Sequence, residues 1–115
     1  MSMKDFMFLY RTNYAAMPFD SEEKLKAMTK KWMDWFASTG VQNNLIDMGK
    51  RLEPSGKVVK ESNVVTNGPY TEIKESIGGY SVVKADSYDA AVEMAKGCPI
   101  LTIGGNVEVR EISVL

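Results

Sequence analysis

FMFLYR, residues 6–11, is apolar at odd and even positions alike, ending in Arg11. A strand with one face in water alternates apolar and polar residues, so this stretch reads as a central strand covered on both sides. The segment GGYSVVKADS (78–87) reads the same way, with Tyr80, Val82 and Val83 apolar on both faces. Whatever fold is chosen must bury two such strands twice over.

The intervening residues supply one covering layer. After NYAAMPFDSEE comes a helix over about 21–39. Asp20 followed by Glu23 forms a capping-box pattern, Ser21 is the alternative N-cap, and Gly40 is the expected stop. Leu25, Met28, Trp32, Trp35 and Phe36 recur at helical spacing, with Lys24, Lys26, Lys30, Lys31 and Asp34 mostly opposite. Ser87 caps a second helix whose small face is Ala90, Ala91, Met94, Ala95 and Cys98, stopped by Gly97 and Pro99. Residues 41–59 read as an irregular strand, a Pro-Ser-Gly turn and a hairpin arm. Val64–Val65 form the next short strand, ending in a turn at 67–70. In NVEVREISVL (106–115), Val107 and Val109 share one parity while Ile112 and Val114 take the other, so a bulge or change of environment falls near Arg110–Glu111.

The order strand, helix, short strands, strand, helix, strand is the split β-α-β of a ferredoxin-like α+β sandwich with an inserted hairpin. Both helices then lie on one side of an antiparallel sheet. A chain of 115 residues, read as one domain, leaves no element for the other side. A second copy covers it, giving a homodimer packed sheet to sheet.

Composition narrows the chemistry. The net charge is −1 with both signs dispersed, so neither nucleic acid nor a membrane surface is an expected partner. No run is long enough to cross a bilayer. The lone Cys98 excludes an internal disulfide and fits a reducing cytoplasm. There is no histidine, which removes the commonest general base and transition-metal ligand. No metal spacing or phosphate loop is present, so no cofactor is expected.

KKWMDW (30–35), GKRLEPSGKVV (49–59), VTNGPYTEIKESIGGY (65–80), VKADSYDAAVEMAKGCPIL (83–101) and GGNVEVR (104–110) together resemble the YCII-related family, in the branch named for an Asp-Gly-Pro-Phe motif. The resemblance implies a dimeric ferredoxin-like α/β barrel. Most such proteins are uncharacterised; some resemble small-molecule lyases or dehydrohalogenases, and some stand beside or fused to extracytoplasmic-function sigma factors. The family's histidine–aspartate pair has no counterpart here. Asn67 and Tyr70 replace the motif's aspartate and phenylalanine; asparagine keeps the turn but does not titrate.

Candidate site residues follow. Asn67 and Tyr70 form a strand-ending turn or a pocket rim. Glu72 is either half of a solvated pair or a general base held by Lys74 or Arg110, with Tyr70 a second proton-transfer group. Arg11 and Arg51 read as salt-bridge residues or as clamps for an anion. Trp32 and Trp35 read as core, or as the wall of a cavity between helix and sheet with Tyr10 and Tyr80 nearby. Gly78–Gly79 read as a bulge or bend, and Cys98 as inert packing. The leading expectation is a small-molecule-binding dimer with a regulatory role. The alternatives are a cofactor-free lyase or dehydrohalogenase acting on a small anionic or aromatic compound, and a protein-interaction module.

Overall fold

A computed structural model describes residues 3–12, 21–68 and 76–114. The expected order is observed: β1 (Lys4–Thr12), α1 (Glu22–Ala37), α2 (Thr39–Gln42), β2 (Leu45–Asp47), β3 (Lys57–Val59), β4 (Val65–Asn67), β5 (Ser76–Ala85), α3 (Tyr88–Ala95) and β6 (Asn106–Glu111). The main sheet runs β2-β5-β1-β6 with antiparallel neighbours, and β3 and β4 pair as a separate hairpin. This α+β arrangement is compatible with a ferredoxin-like fold.

One face of the sheet forms the core. Phe6, Phe8 and Tyr10 of β1 and Val83 and Ala85 of β5 are buried against Trp35 and Phe36 of α1 and Ala91 and Ala95 of α3. Both long helices therefore cover the same face. Trp35 ties them together: its ring Nε1 donates to the Met94 carbonyl at 3.1 Å, and Gly97 leaves room for the indole edge.

The other face carries Met7 and Leu9 of β1 opposite Val82 and Tyr80 of β5. These four are half-buried rather than covered. The doubly apolar reading of the central strands thus holds for one face within the single chain.

Local signals explain most boundaries. The Ser21 hydroxyl accepts from the Lys24 N–H, and that of Ser87 from the Ala90 N–H, both at 3.1 Å; each such cap is worth about 1 kcal/mol. Gly40 is not the stop. It lies inside α2, and α1 ends at Ala37, where the next residue, Ser38, turns to extended backbone and donates both its N–H and its hydroxyl to the Trp35 carbonyl. β6 pairs with β1 in unbroken register from Asn106 to Glu111, so the parity switch marks the strand end and not a bulge. Gly78 is the extra residue of a β5 bulge: Tyr10 pairs with Gly79 and Arg11 with Ile77. The hairpin turn uses left-handed backbone at Ser62 and Asn63, a conformation that asparagine tolerates.

Candidate functional site

A cleft of about 370 Å³ opens between α1 and the β2–β5 side of the sheet. Its α1 wall is Leu25, Met28, Thr29, Trp32, Met33 and Phe36, successive turns of one helix face. Tyr10 and Thr12 of β1, Gly78–Tyr80 of β5 and Ile100 supply more of the lining. Met48, Gly49, Lys50 and Arg51, which follow β2, close the far side. The volume lies within the usual range for small-molecule sites, roughly 300–1,000 Å³.

Backbone contacts hold residues 48–52 against β5. Leu52 N–H donates to the Gly78 carbonyl at 2.8 Å, and Arg51 forms an isolated bridge with Gly79. Two glycines permit this approach. Gly49 has a φ of +81°, and a Cβ there would strike the Tyr80 carbonyl; a Cβ on Gly79 would sit 2.9 Å from the Lys50 carbonyl. A buried polar chain completes the anchor: Tyr10 Oη donates to Ser81 Oγ at 2.8 Å, which donates to the Met48 carbonyl at 2.7 Å.

Burial pushes the Tyr10 pKa well up, outweighing the opposite effect of its Ser81 bond. Its hydroxyl therefore stays a neutral donor. The Tyr10 ring meets that of Trp32 edge to face at 4.8 Å, a geometry worth about 0.5–1.5 kcal/mol beyond area burial, so the floor and the α1 wall are braced together. Among the described lining residues the charged groups are Lys50 and Arg51, both exposed, and there is no carboxylate. The chemistry on offer is apolar and aromatic contact inside with cationic contact at the mouth.

A second cluster lies on the opposite sheet face. The Arg11 guanidinium donates to Glu108 Oε1 from Nε at 3.0 Å and from Nη2 at 2.8 Å, and Arg110 approaches the same carboxylate at 3.5 Å. The Arg11 hydrogen bond is the main cause holding the Glu108 carboxyl below its ordinary value.

With the geometry in view, comparison with known proteins gives one decisive match: the YCII-related domain, over residues 5–115. The chain belongs to the YCII-related family. No curated protein matches it.

Against this YCII-related fold the expected site residues separate. Trp32 lines the cleft, while Trp35 lies beneath it in the core, 7 % exposed. Arg11 and Arg110 point away from the cleft, into the Glu108 cluster, because β1 and β6 alternate faces and it is Tyr10 that turns toward α1. Asn67 sits on the β3–β4 hairpin and accepts from Lys57 Nζ at 2.8 Å, apart from the cleft. Tyr70, Glu72 and Lys74 lie outside the described residues. Cys98 is buried, and burial pushes its thiol up to about 12, the opposite of an activated nucleophile.

The sequence reading missed most of the far wall. Met48, Gly49 and Lys50 belong to no periodic segment, and the only hint was a glycine flanked by Met and Lys. Among the described residues, no cluster of three or more His, Cys, Asp or Glu could hold a metal ion. Nor is any described helix long and apolar enough to cross a membrane.

Proposed function

We propose that this YCII-related protein is a small-molecule-binding homodimer of the Asp-Gly-Pro-Phe branch, with the cleft between α1 and the sheet as its binding site. One observation carries the reading. The cleft is large, aromatic and methionine-rich, and its walls are held by glycine-dependent backbone contacts and a satisfied buried hydrogen-bond chain, so the site is built in advance of any ligand. Flexible thioethers at Met28, Met33 and Met48 suit a wall that must adapt to its occupant.

Dimerisation uses the opposite face, with Met7, Leu9, Tyr80 and Val82 packing against their copies to form the barrel. What supports this is a contiguous half-buried apolar strip on two adjacent central strands, which a second sheet about 10 Å away would cover. The branch assignment rests on Asn67-Gly68-Pro69-Tyr70 at the motif position. A regulatory role, in a reducing cytoplasm where Cys98 stays a thiol, fits a binder better than the acid–base alternative. Burial makes Tyr10, the buried hydroxyl of the cleft, a poorer acid that holds its proton.

The test is tryptophan emission titrated with a panel of one- and two-ring apolar compounds, in the parent chain and in Thr29→Phe, which fills the cleft from an exposed position on α1. The parent should respond saturably to panel members, and the variant should lose the response while keeping its unfolding midpoint. A parent chain that binds none of the panel at millimolar concentration refutes the reading.

A further inference from the structure

Resting on the cleft as the binding site, we infer that Met33 and Met48 form an oxidation site that controls it: a peroxide converts both thioethers to sulfoxides, and the cleft then releases an apolar ligand. Access selects the pair. Among the described methionines the exposed ones are Met3, Met33 and Met48, and the last two, 48 % and 47 % exposed, both line the cleft. Met28, the other thioether of the lining, is only 9 % exposed, so attack begins on the solvent side. The chain's single cysteine does not intercept the oxidant. Cys98 is buried and burial pushes its thiol up to about 12, so it offers peroxide neither access nor thiolate.

The chemistry needs only the peroxide. The thioether sulfur attacks one peroxide oxygen, an S–O bond forms as the O–O bond breaks, and the other oxygen leaves as water. Sulfur gives up two electrons, peroxide takes them, and a sulfoxide reductase reverses the change. Position turns this modification into an effect on binding. Met33 stands on the α1 wall and Met48 on the far wall, so one oxidant places a polar sulfoxide on two sides of the same apolar space. A ligand that fills the cleft must then strip water from both. The Tyr10 and Thr29 hydroxyls do not make up the loss, because they already donate to Ser81 and to the Leu25 carbonyl. The flexible, polarizable contact of each thioether is lost as well. Shielding runs the other way: a seated ligand covers the two sulfurs, and susceptibility follows exposure.

The experiment treats the folded parent chain with hydrogen peroxide, maps sulfoxides by peptide mass spectrometry, and titrates 1-naphthalenemethanol calorimetrically before and after. Met33 and Met48 should oxidise ahead of Met28. Affinity should then fall roughly tenfold or more, the scale set by two polar groups desolvated without new partners. The double variant Met33→Leu/Met48→Leu, compared with its own untreated affinity, should lose nothing on the same treatment. Saturating alcohol should slow sulfoxide formation at Met33 and Met48 and leave Met3 unprotected. Oxidation of the pair without loss of affinity, a loss that persists in the double variant, or Met28 oxidised first overturns the inference while leaving the cleft a binding site. An untreated parent that does not bind the alcohol removes the binding reading and the inference with it.

Discussion

Gly49→Ala should be among the most costly single-methyl additions in this chain. Gly49 has a φ of +81°, where an L side chain costs about 1–2 kcal/mol. The new Cβ would also collide with the Tyr80 carbonyl, a backbone atom that cannot rotate away. Relieving such overpacking typically costs a further 1–3 kcal/mol. A total of roughly 3 kcal/mol, with a urea slope of about 1.5 kcal/mol/M, moves the unfolding midpoint down by about 2 M. Tryptophan emission in a urea titration reads this directly, since Trp32 and Trp35 stand at the cleft wall and in the core. Gly40→Ala is the matched control. It lies within α2 with nothing within 4 Å of the added carbon, and alanine there should raise stability by up to about 1 kcal/mol. Equal midpoints for Gly49→Ala and the parent would refute the placement of residues 48–51 against β5, and with it the far wall of the cleft.

The remaining expectations concern charge, a thiol and the uncovered sheet face. Arg11 depresses the Glu108 pKa, so the stabilisation from Glu108 is fully present above its ordinary value of 4.5 and is lost as pH falls through the lowered folded value. Urea midpoints of the parent and Glu108→Gln should therefore differ at pH 6 and draw together as the pH is lowered below 4.5; a gap that widens on acidification contradicts the sign. Cys98 is 2 % exposed, with its thiol pushed up to about 12. Iodoacetamide at pH 8 should label it far more slowly in native buffer than in urea, and equal rates would show that the residue is not packed as described. Leu9→Lys places a charge in the middle of the proposed dimer face, and sedimentation equilibrium should report a folded monomer in place of the parent dimer. A parent chain that sediments as a monomer removes the sheet-to-sheet assembly.

Residues whose local chemistry is self-sufficient were legible in the sequence. The apolar runs at 6–10 and 80–83, the caps Ser21 and Ser87, and the indole stripe of α1 each act within one element, and together they specified the split β-α-β order. Features that depend on a distant partner were not. Gly40 looked like a helix stop because glycine usually is one, but the Ser38 hydroxyl competes for the Trp35 carbonyl first. Arg11 looked like a ligand clamp because its strand is apolar. Strand parity sends it to the sheet face where Glu108, 97 residues away, receives it. Apart from Arg51, the cleft's far wall escaped notice because residues 48–50 are shaped by what they touch on β5, and neither periodicity nor propensity encodes that contact.

The central claim is that the cleft between α1 and the sheet is where a small molecule sits. Methionine-methyl NMR addresses it most directly, because the side chains report from distinct surfaces: Met28, Met33 and Met48 line the cleft, while Met7 lies on the opposite sheet face. With 1-naphthalenemethanol added stepwise, the account predicts that the Met28, Met33 and Met48 resonances move together along one saturating curve while Met7 stays fixed. Movement led by Met7, or no movement at any of the cleft methyls, would contradict it.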